Sequence, residues 1–186
     1  MSVQFIRHRF TVAQYDQMAA AGVFQEDERL ELIAGEIIEM SPISMVHAAC
    51  VKRLNRIFTR KLGDDAIIGI QDPIHLDEHS EPEPDVVLLH PRPDFYVAGH
   101  PEPEDIFLLI EVSETSLAYD REVKLPLYAR AGIMEVWLVN VREEVVELYR
   151  QPTPDGFAET RQYRKGNSIS PLAFPDLNIV VEQITG

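Results

Sequence analysis

The chain has 186 residues, a length typical of a single domain, and 45% of them are apolar while 26% are charged. This composition is typical of a globular protein and argues against a disordered or fibrous chain, and the single cysteine, Cys50, excludes an internal disulfide framework. The 31 acidic residues outnumber the 17 basic ones, and the resulting net charge of −14 argues against binding of nucleic acid by the whole surface.

The predicted elements form one mixed α/β domain over residues 1–186. A strand is predicted where the sequence alternates or is wholly apolar, and a helix where the apolar residues have a period near 3.6. In chain order the elements are a helix over 11–21, a β-hairpin over 29–40, a long helix over 44–62, strands over 66–71, 73–77 and 85–90, an extended loop over 91–105, a buried strand over 106–112, a helix over 120–131, a buried strand over 134–141, an outer hairpin over 144–150 and 157–164, and a proline-containing tail after Asn167.

The sequence does not predict export or a membrane span. The segment from Met1 to Arg9 is polar and basic and does not resemble a signal peptide. No apolar run approaches the roughly 20 residues that cross a bilayer. We therefore expect a cytoplasmic protein without a membrane partner.

The long helix over 44–62 divides into two sides when its residues are placed at intervals of about 100°. Its apolar residues share one side, and His47 lies in the middle of that side at the first turn. One quarter of the remaining surface, the basic quarter, carries Lys52, Arg53, Arg56 and Arg60. The basic quarter is either a nucleic-acid contact or a solvated face, and His47 is either a site residue or a hydrogen-bonded core histidine.

Two acids at the ends of apolar strands indicate a cation site. Asp85 begins one such strand, and Glu111 follows the apolar run that starts at Ile106. A carboxylate in this position is costly to bury unless it is paired, hydrogen-bonded or bound to a cation, and two carboxylates with a backbone carbonyl are ligands that Mg²⁺ prefers. Lys124 follows on the next helix and shares a face with Asp120 and Tyr128. The alternative for that face is an exposed, salt-bridged stripe.

Three features follow one another in the chain: Pro84-Asp85, a strand ending in Glu111, and a lysine on the next helix. Further segments of the chain resemble the same known proteins. They are Glu31 to Glu36 with Met40-Ser41-Pro42, His47, Ile110 to Ser113, Tyr119 to Ile133, Glu135 to Val139 and Phe174 to Leu177. Over nearly the whole chain they resemble the restriction-endonuclease-like superfamily, whose motif is written PD-(D/E)XK. The resemblance is closer still to a large bacterial family of putative restriction endonucleases, often filed as a domain of unknown function.

The resemblance implies a central mixed β-sheet flanked by helices, with the active site at one end of the central strands. Asp85 and Glu111 would bind Mg²⁺ or Mn²⁺, and the carbonyl of Val112 would be a further ligand. Ser113 stands where the written motif has its lysine, so Lys124 would take the role of the catalytic lysine. Glu36, His47 and Ser113 would be accessory residues, and Glu31 is a weaker candidate for such a role.

The implied activity is that of a metal-dependent endonuclease acting on DNA. A duplex has two strands, so we expect a homodimer. The apolar residues available for its interface, or for the core, are Val145, Val146, Leu148, Tyr149, Val180 and Val181. One alternative function is a catalytically idle relative that acts as an oligomeric binding or regulatory module, which the net charge favours. Another is a nuclease for RNA or for repair intermediates.

Overall fold

A computed structural model describes residues 7–25 and 27–186 of the chain. Residues 1–6, part of the segment that does not resemble a signal peptide, lie outside the described residues. No helix within the described ranges is long and apolar enough to cross a membrane. The helices and strands are α1 (Val12–Ala20), β1 (Leu30–Ile33), β2 (Glu36–Glu39), α2 (Met45–Leu62), β3 (Ile67–Gly69), β4 (Val86–Leu89), β5 (Ile106–Ser113), α3 (Leu117–Tyr119), a π-helical turn (Asp120–Lys124), α4 (Leu125–Arg130), β6 (Glu135–Asn140), β7 (Val145–Thr153), β8 (Gly156–Tyr163), β9 (Ser168–Ile169), β10 (Ile179–Val180) and α5 (Val181–Thr185).

The central sheet has six strands in the order β3-β4-β5-β6-β7-β8. β5 and β6 run parallel, and the other neighbouring pairs are antiparallel. Nearly all side chains of β4, β5 and β6 are buried, because helices cover both faces of these strands. The predicted mixed α/β fold, a central sheet flanked by helices, is confirmed.

Two apolar clusters pack against the two faces of the sheet. On one face, Leu54 and Phe58 of α2 pack with Trp137 of β6. On the other face, Tyr128 of α4 packs with Leu138, the next residue of β6. Successive strand residues point to opposite faces, so β6 joins both clusters. The apolar side that the sequence predicts for the long helix is therefore the side that meets the sheet.

The first turn of α2 is fixed by its N-cap. The hydroxyl of Ser44 accepts a hydrogen bond from the backbone N–H of His47 at 3.1 Å. The helix ends at Gly63, whose φ of 53° is in the left-handed region that favours glycine. These two boundaries agree with the predicted helix and place His47 in its first turn.

The basic quarter lies on the outer side of α2. Lys52, Arg56 and Arg60 are exposed, and none of them forms an ion pair with a described residue. Arg53 is half-buried, and its guanidinium donates to the backbone carbonyl of Thr185 at 3.0 Å. Arg53 therefore holds the end of α5 against α2.

The prediction of a strand over 73–77 is wrong. The backbone N–H of Ile74 donates to the carbonyl of Pro82, so this segment bonds to its own returning loop rather than to a neighbouring strand. Its β-pairing in the described ranges is limited to one isolated bridge between Asp77 and Ser80. The apolar residues of the segment fill space under the sheet without extending it.

The single helix predicted over 120–131 is instead the π-helical turn followed by α4, and the helical segment begins earlier, with α3. The backbone N–H of Leu125 donates to the carbonyl of Asp120, five residues earlier, which widens the turn. Pro126 explains the widening, because it has no N–H and its ring would clash with the carbonyl of Glu122 in a regular helix.

The apolar residues considered for a dimer interface belong mostly to the core. The first four side chains of β7 are buried within the same chain, whereas the later ones are half-buried or exposed. Of the set, Val180 exposes 38% of its surface and Tyr149 is half-buried. The fully buried members are Val145, Val146, Leu148 and Val181. These four residues cannot form a dimer interface.

β1 and β2 form a small hairpin apart from the central sheet. Ala34 and Gly35 at its turn both have positive φ, as tight hairpins require. The hairpin joins the segment before β4 through a bridge between Leu32 and Glu81. Three of the four side chains of β1, including Glu31, are buried, so this strand is covered on both faces.

Candidate active site

A cleft of about 380 Å³ lies where β5 ends and where α2 and α3 begin. Its permanent positive charges are Arg29 and Lys124, and His47 also lines it. Seven carboxylate residues line the same cleft: Glu31, Glu39, Glu83, Asp85, Glu111, Glu114 and Asp120. The cleft therefore has a strongly negative lining, which favours a cation over a free anion.

Asp85 is held at the edge of β5 by three donors. Its Oδ2 accepts the backbone N–H of Val112 at 2.8 Å and lies 3.0 Å from Nε2 of His47. Its Oδ1 accepts from the side-chain amide of Gln71 at 3.1 Å. Each carboxylate oxygen has two acceptor positions, so Oδ1 keeps one. The hydrogen bond that the Asp85 carboxylate accepts from the His47 ring raises the pKa of His47.

The backbone N–H and C=O of Val112 point toward the edge of β5 at which Asp85 lies. β4 begins at Val86, whose register partner on β5 is Ile110, so Val112 extends beyond the end of β4. The N–H and the C=O of one strand residue point to the same side. Since the Val112 N–H reaches Asp85, its carbonyl faces the same part of the site.

Glu111, Lys124 and Glu31 form a buried ion cluster. The Lys124 ammonium lies 2.9 Å from Oε2 of Glu31 and 3.2 Å from Oε1 of Glu111, and the three side chains are between 2% and 6% exposed. The hydroxyl of Tyr128 also donates to Oε1 of Glu111, at 2.5 Å. The other oxygen of Glu111, Oε2, accepts no hydrogen bond from the described residues. It is not one of their fully buried polar atoms, so it is accessible from the cleft.

Burial and charge shift the pKa values of this cluster. Burial raises the pKa of Glu111 to about 8, although the Lys124 ammonium opposes the change. For Lys124, burial lowers the pKa, but Glu111 and Glu31 outweigh it and raise the pKa above its usual range. The ammonium therefore stays charged at neutral pH. Strongly shifted groups in a cleft are typical of functional sites.

The structure brings together most of the predicted site residues. Asp85, Glu111 and Lys124 line one cleft, and His47 contacts Asp85. The hydroxyl of Ser113 donates to Asp120, which lines the cleft. Glu36 does not join them: its side chain is 51% exposed and pairs with Arg7 at 3.3 Å.

A family model described as putative restriction endonuclease, Uma2, matches residues 12–182. The chain belongs to the Uma2 family. Among solved structures, a putative nuclease belonging to DUF820 from Anabaena variabilis ATCC 29413 is similar with a TM-score of 0.74 at 16% identity, over 95% of this chain and 97% of that one. The type IIG restriction endonuclease BpuSI matches 63% of this chain and 14% of its own length, with a TM-score of 0.40 at 15% identity. No match was found among curated proteins.

Membership of the Uma2 family confirms the resemblance predicted from the motifs, and the similarity to the Anabaena structure supports the same fold. The residues that the sequence ranks low or misses are Glu31, Gln71 and Tyr128. Gln71 has a φ of 54°, an uncommon value outside glycine, and its side chain reaches Asp85 from that conformation. Nothing in the sequence around Gln71 signals this role.

The donor set of the Uma2 site is compatible with a hard divalent cation. The described part of the chain has no group of three or more His, Cys, Asp or Glu side chains arranged to hold a metal ion. Two carboxylates, Asp85 and Glu111, each keep an acceptor position, and the Val112 carbonyl faces the same region. Mg²⁺ commonly takes one or two carboxylates and keeps several waters, so this smaller set meets its needs.

Proposed function

We propose that this Uma2 protein is a divalent-metal-dependent endonuclease that hydrolyses phosphodiester bonds in DNA. One observation carries the proposal: Lys124 is buried between Glu31 and Glu111 in an acidic cleft. Buried charges are costly to a fold, and a cluster of them opening into a cleft is typical of a catalytic site. The family description, putative restriction endonuclease, supports the same reaction class.

The proposed metal ligands are the carboxylates of Asp85 and Glu111 and the carbonyl of Val112. A bound Mg²⁺ or Mn²⁺ would lower the pKa of a water molecule and offset the charge of the phosphate. His47 and Gln71 orient Asp85 through their hydrogen bonds, so that its free acceptor position stays directed into the cleft.

The proposed role of Lys124 is to offset the negative charge that develops on the phosphate. Glu31 holds the ammonium at 2.9 Å and thereby positions it, which makes Glu31 an accessory residue of the site. Ser113 does not contact Lys124. Its hydroxyl donates a hydrogen bond to Asp120, which holds the π-helical turn that carries Lys124. Glu36 has no part in this proposal, because it lies outside the cleft.

Cleavage of supercoiled plasmid and of single-stranded DNA tests the proposal. The wild-type protein should cleave with Mn²⁺ or Mg²⁺ and should be inactive with a chelator. Asp85→Asn and Glu111→Gln remove one ligand charge with little change in shape, and each should reduce cleavage by about 100-fold or more. The matched control is Asp155→Asn in the exposed turn between β7 and β8, which should retain full activity. Undiminished cleavage by Glu111→Gln would overturn the proposal.

The charge of the chain favours a second function, a catalytically idle binding or regulatory module. A net charge of −14 and seven carboxylates in one cleft repel a polyanion unless a cation intervenes. Thermal unfolding with Mn²⁺ separates the two functions, because a ligand that binds the folded state raises the unfolding temperature. The nuclease should be stabilised by Mn²⁺, and Asp85→Ala should lose the effect. An idle module should show neither stabilisation nor cleavage.

We also propose that DNA contacts the basic quarter and that the enzyme acts as a homodimer. The exposed side chains of Lys52, Arg56 and Arg60 support the first part, whereas Arg53 is partly occupied with Thr185. Reversing Arg56 and Arg60 to Glu should weaken binding to all sequences alike and reduce its salt dependence. Light scattering tests the dimer, and a monomer at every concentration would exclude it.

A further inference from the structure

Two polar atoms in the walls of the cleft have no partner in the protein. Across the residues that the structure describes, three buried side-chain polar atoms lack a hydrogen bond: Nδ1 of His47, the hydroxyl of Tyr119 and Oε2 of Glu182. The first two belong to residues that line the cleft. A buried polar group without a partner costs about 1–3 kcal/mol, so such groups are few and need an explanation.

The π-helical turn brings Tyr119 and Lys124 to the same side of their helix. In a regular α-helix, residues five apart are separated by about 140° around the axis. In the turn observed here, the hydrogen bond from Leu125 to Asp120 joins residues five apart, which widens the turn and brings residues at that spacing closer to the same side of the axis. Tyr119 precedes Lys124 by five positions. The widened turn therefore directs its ring toward the cleft that holds the Lys124 ammonium.

The phenol of Tyr119 is a donor at neutral pH. Burial, together with the negative charge of Glu31, raises its pKa to about 12. The carboxylates of Glu31 and Glu111 accept from Lys124 rather than from this hydroxyl. Tyr128 differs from Tyr119 in this respect, because its own hydroxyl is committed to Glu111.

We propose that Tyr119 is a substrate-binding residue whose hydroxyl donates a hydrogen bond to a non-bridging oxygen of the phosphodiester, beside the ammonium of Lys124. Phosphate oxygens are charged acceptors and pair well with a neutral donor next to a cation. This assignment rests on the nuclease function proposed above and deepens it. It also accounts for the π-helical turn. Such turns are rare in proteins, and those that occur are often found at functional sites.

Tyr119→Phe tests the assignment, because it removes the hydroxyl and keeps the ring. The substrate is a fluorescein-labelled DNA duplex, cleaved in Mn²⁺ and bound in Ca²⁺ with anisotropy as the readout. A hydrogen bond to a charged group corresponds to about a 10- to 100-fold loss of kcat/KM, with weaker binding in Ca²⁺. The urea midpoint should stay unchanged or rise, because the hydroxyl has no partner in the free protein.

The matched control is Tyr96→Phe. The hydroxyl of Tyr96 donates to the carbonyl of His90 at 2.8 Å, and neither residue lines this cleft. This variant should show the opposite profile, with a lower urea midpoint and wild-type kinetics.

The outcomes separate the two proposals. If the wild type cleaves DNA and Tyr119→Phe has wild-type kcat/KM and binding, the role of Tyr119 is overturned while the nuclease function stands. A lower urea midpoint with unchanged kinetics shows that Tyr119 is only structural, which also overturns its role. If the wild type neither binds nor cleaves DNA with any divalent ion, both proposals are overturned.

Discussion

Lys124→Met is expected to destabilise the protein strongly in the absence of metal. The ammonium lies 2.9 Å from Glu31 and 3.2 Å from Glu111, and all three side chains are almost fully buried. At an effective dielectric constant of about 20, each contact gives about 5 kcal/mol of attraction, most of which offsets the cost of burying the charges. Removing the cation leaves the Glu31 carboxylate buried without its partner and raises the pKa of Glu111 further, so the expected loss is about 3–5 kcal/mol.

Urea unfolding at pH 7 in chelator measures this loss. The lone tryptophan, Trp137, is fully buried and reports global unfolding by fluorescence. Glu31→Gln should restore part of the stability when added to Lys124→Met, because it removes the buried charge that has lost its partner. A surface control, Arg161→Met, breaks an exposed pair with Glu159 and should cost less than about 1 kcal/mol. A loss in Lys124→Met as small as this control, or no rescue by Glu31→Gln, would refute the reasoning.

Three further predictions concern buried polar groups. Tyr128→Phe removes a donor to Glu111 and should lower the unfolding free energy by about 1–3 kcal/mol, and an unchanged urea midpoint would contradict this. Glu135→Leu leaves Arg150 without its carboxylate partner and should cost about 3–5 kcal/mol by the same assay, whereas a neutral effect would show that the pair is dispensable. Burial raises the pKa of Glu81 to about 7, so its contribution to stability is present below about pH 4.5 and is lost as the pH rises to 7. Urea unfolding between pH 4.5 and 7.5 should therefore show a wild-type loss greater than that of Glu81→Gln by on the order of 2 kcal/mol after solvent screening, and parallel curves would exclude it.

The meeting of Asp85 and Glu111 was predictable because both acids interrupt strongly apolar strands. A central strand has few places for a carboxylate, so an acid at its end marks the edge of the sheet where polar groups gather. Lys124 followed from its place in the family motif. The geometry adds what spacing cannot give: the lysine lies between Glu31 and Glu111, and its nitrogen is not hydrogen-bonded to Asp85.

The place of Glu31 could not be predicted from local alternation. Leu30 and Leu32 alternate with polar neighbours, which predicts that Glu31 faces solvent. The hairpin is covered on both faces, so the outward position of an isolated hairpin becomes a buried one in the folded chain. Glu36 across the turn remains exposed. Tertiary packing therefore determines that Glu31 is buried and Glu36 is exposed.

The π-helical turn could not be predicted from the sequence either, because a search for apolar residues with a period of 3.6 detects only regular α-helices. Pro126 signals a disturbed helix, but a proline can be accommodated by a bend, a break or a wider turn. The choice here depends on the packing of α4 against the sheet, where Leu125 and Tyr128 are buried. Sequence alone therefore predicts the irregularity and not its form.

The hairpin of β1 and β2 contributes charged side chains to the cleft. The sheet, α2 and α4 contain most of both apolar clusters, whereas the hairpin supplies Glu31 and the part of the cleft wall that includes Glu39. Its β-bridge to the rest of the described chain is the single one from Leu32 to Glu81. Substitution of the exposed Glu39 can therefore change the charge of the cleft without disturbing the core, whereas substitution of Glu31 changes the charge around Lys124 and the stability together.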